Sequence, residues 1–361
     1  MPWLDDEPVR GSYPSLQFLT LSGLERMQAS LRGQMPAPPI HYLFGLAPES
    51  SDAESTTFVM PSSPWLQTAL GVFLPGTAAL LADAPLGSAV LTELGPGQIA
   101  VTSDLTLNYL RPMYPNSGLL SARARPIEVG HRLGLAEAII KDGTGKTLAH
   151  STTRCFIQNY PVPEPTALPP VEEPTYDSPH PYERPLTTGT IPPDVWASKS
   201  FIEICEMMRT GELPTPPFVQ LFGFSVPIAK EGYFESSVPS SPWFSSPAGT
   251  TYGGFLAYLA DSVLAGAVNT VVPPQSAFAS LDLKVSFLRP VMPDGRLMTA
   301  SASVIHRGRS LVVAEGQIVN ADGKVVVKAT TSAAVMEGRS WMRAVIDEAE
   351  SPDGAVGIDP S

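Results

Sequence analysis

The sequence predicts an α+β protein made of two tandem copies of one domain, each a curved, mostly antiparallel sheet wrapped around a central apolar helix. Three observations predict it: a long internal repeat, one almost uncharged helical run in each copy, and alternating strands after each run. SSPW at residues 62–65 recurs at 240–243, an offset of 178 residues from Pro64 to Pro242. The same offset places LAD at 81–83 on 259–261, Asp104 and Leu105 on Asp282 and Leu283, and LRP at 110–112 on 288–290. It continues through Gly130 and Gly308, Glu137 and Glu315, and Thr152–Thr153 and Thr330–Thr331. Chance does not sustain a gapless register over that span. A unit this long buries a core of its own, which separates a duplicated domain from a solenoid repeat.

Length and composition agree with two domains. At roughly 100–200 residues per domain, 361 residues exceed one ordinary core, and 43% hydrophobic residues suffice for two. Charged residues make up 16% and the net charge is −12, which describes an acidic globular chain and argues against a nucleic-acid partner. No apolar run approaches the roughly 18–20 uncharged residues that cross a bilayer, so no membrane partner is expected. The opening MPWLDDEPVRGSYP has neither a basic region nor an apolar stretch, which makes the expected location the cytosol. Cys155 and Cys205 occupy non-corresponding positions, against a structural disulfide. The five histidines are scattered, and no Cys/His cluster has metal-ligand spacing, so no metal site is expected.

The division expected along the chain is an N-terminal domain at 18–158, a linker at 159–193, a C-terminal domain at 194–337 and a tail at 338–361. Proline density in the linker forbids regular helix or central strand. The tail is expected to begin as a short helix around 341–349 and to continue as SPDGAVGIDPS, a composition that reads as disordered. Within each copy an amphipathic helix (about 21–31 and 198–209) is followed by a proline-rich turn, an apolar strand, the long apolar helix and several alternating strands. LTLNYL and LKVSFL put Leu105, Leu107 and Tyr109, and Leu283, Val285 and Phe287, on one face.

The central helical runs carry the candidate chemistry. Residues 253–268 contain a single charge, Asp261, and residues 75–90 a single charge, Asp83, at the matching place. An all-apolar helix is buried all round, so each carboxylate is desolvated and its pKa is raised toward values useful to a base at neutral pH. The alternative for each Asp is a hydrogen bond to backbone or to a hydroxyl such as that of Tyr258, which only locks the packing. Gly253 and Gly254 open the second helix, where first-turn amides lack intrahelical partners and the dipole is positive; glycine lets a substrate carbonyl that gains charge approach there closely. Close helix–sheet packing is the other reason for glycine at this place.

These residues resemble a family. GTTYGGFLAYLADSVLAGA is similar to the signature of PaaI-like hotdog thioesterases, HGG followed by LAD on one helix, and SLDLKVSFLRP, HRGRSL and NADGKVV are similar to the strands that follow it. The resemblance covers both copies and implies two hotdog domains in tandem, paired as a pseudo-dimer. It implies that the Asp is base or nucleophile, that a glycine amide polarises the carbonyl, and that a Ser near the next strand assists. Those become Asp261, Gly253 and Ser280, and Asp83, Pro75 and Thr102. Tyr252 and Leu74 replace the family's histidine, and Ser246 and Thr68 stand where some members have Asn.

Asp261 lies eight positions after Gly253, about 12 Å along a helix axis, so one helix cannot bring both groups to one reacting carbon. The carboxylate must therefore come from the partner copy. Crossing the copies gives one site with Gly253, Gly254 and Ser246 facing Asp83 and Thr102, and another with Pro75 and Gly76 facing Asp261 and Ser280. Proline has no N–H to donate, which favours the first site. Pro85 falls inside the first helix and is expected to bend it or open a hydrogen bond beyond Asp83.

Tyr252, Tyr258, Arg289, Arg307 and Arg309 are candidate contacts to substrate, the arginines toward coenzyme A phosphates; solvated strand-end arginines are the competing reading. Trp65 and Trp243 are expected to be core or loop anchors. Three functions are compatible with these residues: hydrolysis of an acyl-CoA thioester, acyl or acyl-CoA binding without turnover, and, third, hydration or dehydration, for which neither helix carries the usual His. Hydrolysis needs no cofactor, coenzyme A being part of the substrate. The internal pair is expected to assemble into a larger homo-oligomer.

Overall fold

Period-two alternation after each central helix becomes strands, and in the computed structural model, which describes residues 7–171, 175–274 and 276–336, those strands join into one sheet. The expected tail and its helix at 341–349 lie outside the described residues. The N-terminal copy contains α1 (Gly23–Leu31), α2 (Pro39–Phe44), β1 (Ala47–Ser51), β2 (Thr56–Pro61), the central helix α3 (Thr77–Thr92), β3 (Gln98–Tyr109), β4 (Leu119–Val129), β5 (Leu133–Lys141) and β6 (Thr147–Asn159). After α4 (Pro193–Ser198), the C-terminal copy repeats the series. It contains α5 (Phe201–Thr210), α6 (Pro217–Phe222), β7 (Ile228–Lys230), β8 (Tyr233–Pro239), the central helix α7 (Gly253–Asn269), β9 (Ala277–Ser280), β10 (Asp282–Phe287), β11 (Leu297–Arg307), β12 (Leu311–Val319) and β13 (Val325–Met336).

The sheet runs β1-β2-β4-β5-β6-β3-β10-β13-β12-β11-β8-β7, with β9 on β13, and every pairing of named strands is antiparallel. At its centre β3 of one copy pairs with β10 of the other, Leu107 opposite Leu283, Thr106 opposite Lys284 and Leu105 opposite Val285. Thr106 and Lys284 are themselves equivalent positions of the repeat, so a pseudo-twofold axis passes between them. Leu105, Leu107, Leu283 and Val285 are all buried on the face that α3 and α7 cover. Two hotdog domains thus close over one core as an internal pseudo-dimer, with their central helices in contact.

Local signals explain the helix starts. Ser22 with Glu25, and Ser200 with Glu203, form complete capping boxes at α1 and α5. The segments read as proline-rich turns instead each hold a short helix, α2 and α6. Their sequence signal was a proline in the first turn and a glycine at the end: Gly45 and Gly223 close them in the left-handed conformation. Between the copies the described residues 161–192 contain neither α-helix nor strand, only a 3₁₀ turn at Pro181–Glu183. This segment is laid along the N-terminal copy. Ser63 Oγ donates to the Tyr182 carbonyl at 2.7 Å, Trp65 Nε1 to the Arg184 carbonyl at 2.9 Å, and the buried Arg10 to Ser178 Oγ at 2.7 Å while stacking on Tyr176. Trp65 is accordingly a loop anchor, and Trp243 is buried in the core.

The copies pack α1 and α5 differently. Gly23 sits against the end of α3, its N–H donating to the Leu94 carbonyl at 2.8 Å, and an added Cβ would meet the Leu91 carbonyl oxygen at 1.6 Å. The equivalent Phe201 stacks instead on Trp196 and Phe234. Gly23→Ala must displace backbone and is expected to lower stability by about 1–3 kcal/mol. Gly87→Ala, at a helical position with nothing within 4 Å of a new Cβ, is expected to raise it by about 0.5–1 kcal/mol. Urea denaturation of the two variants checks both signs.

Candidate active site

Each central helix carries its carboxylate about midway along and offers it to the start of the other central helix. Gly254 N donates to Asp83 Oδ2 at 2.8 Å, and Gly76 N donates to Asp261 Oδ2 at 2.7 Å. The two amides are equivalent in the repeat, as are the two acids. Both acceptors are buried, which demands such a donor, and an N-terminal helix amide supplies one together with the positive end of the dipole. Glycine is needed where the acid arrives. A Cβ on Gly253 would meet Asp83 Oδ2 at 2.8 Å, and one on Gly76 would meet Asp261 Cβ at 2.8 Å.

The first site brings together Asp83, Thr102, Gly253 and Gly254. Thr102 Oγ1 donates to Asp83 Oδ1 at 3.1 Å, so both carboxylate oxygens are engaged. Gly253 N, first in α7, makes no hydrogen bond among the described residues, and it lies beside the carboxylate. The expectation gave Gly253 and Gly254 one task; the structure divides them, Gly254 holding the acid and Gly253 leaving a donor exposed next to it. Burial pushes the Asp83 carboxyl up to about 6, opposed by the hydrogen bonds from Gly254 and Thr102.

The second site differs at three points. Pro75 stands where Gly253 does and has no N–H. Ser280, buried at the end of β9, makes no hydrogen bond to Asp261, whose Oδ1 is without a partner among the described residues; the β-branched Thr102 has fewer rotamers to lose than a serine in this role. The Tyr258 hydroxyl, one turn before Asp261, is likewise buried without a partner, its ring packed on Phe218 and Phe222. With only Gly76 to oppose burial, the Asp261 carboxyl is pushed up further, to about 7.

Other expected contacts lie elsewhere. The hydroxyl of Tyr252, an expected substrate contact, accepts from Ala84 N at 2.8 Å and donates to the Leu80 carbonyl at 3.0 Å, both on α3. Ser246 bonds within its own turn, its N–H to the Thr250 carbonyl at 2.8 Å. Arg289 Nη1 donates to the Val325 carbonyl, as Arg111 does to the Thr147 carbonyl, pinning the two LRP turns to the final strands. Arg307 pairs with Glu231 at 2.8 Å. Arg307 and Arg309 line a cavity of about 270 Å³ with Val271, Pro273 and Val335, which shares no lining residue with either carboxylate site. Cys155 and Cys205 are buried free thiols. Among the described residues no helix is long and apolar enough to cross a membrane, and no group of three or more His, Cys, Asp or Glu is placed to hold a metal ion.

The model of the Thioesterase superfamily matches residues 70–149 and 248–327, one central helix and its following strands in each copy. Among solved structures, the chain is similar to the tesB protein of Mycobacterium avium subspecies paratuberculosis, at 15% identity and a TM-score of 0.49, over 86% of this chain and 99% of that one. Single copies are similar to a phenylacetic acid degradation-related protein of Ralstonia eutropha (29% identity, TM-score 0.33, 36% of this chain and 98% of that one). They are also similar to the E. coli PaaI protein from the phenylacetic acid degradation operon (23% identity, TM-score 0.34, 39% and 99%). No curated protein matches the chain.

The raised carboxyls have a stability signature. An acid whose folded pKa lies above its unfolded value of about 3.8 favours the folded state fully below that value, and the contribution is lost as pH rises through the folded pKa. The loss therefore runs from about pH 4 through 6 for Asp83 and through 7 for Asp261. Asp261→Asn keeps an acceptor for Gly76 and removes the charge. Its Tm relative to the wild type is expected to be higher at pH 8 than at pH 5 by at least about 3 °C. Calorimetry at the two pH values reads the difference; a pH-independent offset would contradict burial of an ionisable Asp261.

Proposed function

We propose that this protein hydrolyses acyl-CoA thioesters at the site shared by Asp83 and the start of α7. The observation that carries the reading is the meeting of a buried carboxylate from one copy with the unpaired Gly253 N–H of the other. A thioester carbonyl lodged on Gly253 N–H has its developing negative charge met by a fixed donor at a helix N-terminus. Asp83, ionised above about pH 6, takes a proton from water as the water oxygen bonds to the carbonyl carbon. The C–S bond then breaks, and the proton passes from Asp83 to the departing coenzyme A sulfur. Direct attack by the carboxylate on the carbonyl carbon breaks the C–S bond and releases coenzyme A thiolate; water then cleaves the resulting anhydride to free acid and Asp83 carboxylate, its proton going to the thiolate, in the same geometry. No cofactor enters either route. The match of both copies to the Thioesterase superfamily supports the reaction class.

The Asp261 site has the acid and the Gly76 amide that holds it, but Pro75 removes the adjacent donor. The proposal accordingly assigns turnover to Asp83. With a panel of acyl-CoAs and a thiol reagent, Asp83→Asn is expected to lower kcat at least about 100-fold and Asp261→Asn less than about threefold. Gly253→Pro, which removes the donor and also brings a Cβ against Asp83 Oδ2, is expected to cost at least about 10². The wild-type kcat/KM should rise with pH through about 6 and level off. Thiol release lost only in Asp261→Asn would reverse the assignment of sites, and tight acyl-CoA binding without release would replace hydrolysis by binding.

A further inference from the structure

We infer that the Tyr252 hydroxyl is a positioning group for Asp83, acting from the opposite copy. The turn of α3 that bears Asp83 has a weakened hydrogen-bond ladder, because Pro85 has no N–H to give the Leu81 carbonyl. Leu80 and Ala84 are the neighbouring i,i+4 pair, and the Tyr252 hydroxyl bonds to both, at 3.0 Å from the carbonyl and 2.8 Å from the amide. Two backbone bonds from one buried phenol thus brace the helix on either side of Asp83. Tyr252 is itself fixed: its N–H donates to the Phe244 carbonyl at 2.8 Å, and it immediately precedes Gly253 and Gly254. A Cβ on Gly254 would meet the Tyr252 ring at 2.6 Å, so glycine there also makes room for the phenol. The amide that holds the acid and the hydroxyl that braces its helix are therefore carried by one packed segment.

The other half of the molecule supplies the control. At the Asp261 site Val263 stands in place of Pro85 and Leu74 in place of Tyr252. The helix keeps its donor, and the hydroxyl is absent. Proline and phenol occur together at one site and are missing together at the other.

The inference rests on Asp83 as the reacting carboxylate, but it is tested by a readout that needs no turnover. In Tyr252→Phe the ring remains and only the hydroxyl is lost. Amide exchange at Gly254, whose N–H is held by Asp83, is expected to accelerate at least about tenfold, with exchange at Gly76 unchanged. On a substrate that the wild type hydrolyses, kcat should fall on the order of tenfold with KM within about twofold. Adding Pro85→Ala, which restores the Leu81 bond, should recover part of both losses. Unchanged exchange at Gly254 in folded Tyr252→Phe would overturn the inference, and so would equal acceleration at Gly76 and Gly254. If the wild type hydrolyses no thioester, the proposed function fails while the exchange comparison still decides the role of Tyr252.

Discussion

A carboxylate taken out of water must be given a donor, and here each central helix finds a backbone donor on the other copy. Asp83 and Asp261 lie among apolar side chains on α3 and α7, and the backbone amides of Gly254 and Gly76 reach them across the pseudo-twofold axis. The helix geometry makes this unavoidable. The acid and the free amides of the same helix are about two turns apart, so the requirement is met only when the two copies pair face to face. The central β3–β10 pairing holds that arrangement by aligning Leu105 and Leu107 with Val285 and Leu283 beneath the helices. Pairing of the copies, burial of the acids and assembly of the site are thus one event.

Repetition made much of the fold legible. The offset set by SSPW and LAD gives the two domains, and the alternation in LTLNYL and LKVSFL gives the strands that meet at the axis. The helices α2 and α6 were missed because their prolines and glycines resemble turn chemistry, and six residues leave too few positions for a helical period to show. Helix rise alone separates Asp83 from the amides of its own helix. What a linear reading could not supply were contacts set by side-chain packing: the division of labour between Gly253 and Gly254, the bond from Thr102 without a matching bond from Ser280, and the insertion of the Tyr252 hydroxyl into α3. The exchange of histidine for tyrosine was visible in the motif. Its consequence depends on how deep the phenol reaches, and only the paired structure shows that.

The two halves also show how unequal one duplicated site has become. Among the described residues, Asp83 has two hydrogen-bonded oxygens and a neighbouring free amide; Asp261 has one, beside a proline and an unpartnered Tyr258 hydroxyl. Fewer partners leave less to oppose the burial of Asp261, whose carboxyl is pushed up further than that of Asp83. In a symmetric dimer of identical chains any such change would appear at both sites.

The linker laid over the N-terminal copy gives the pairing a further property. When two separate chains build a site, it vanishes as the sample is thinned, since association is a contest against translational freedom. Here that contest is settled within one molecule: the tether keeps the local concentration of each copy around its sibling constant however few molecules are present.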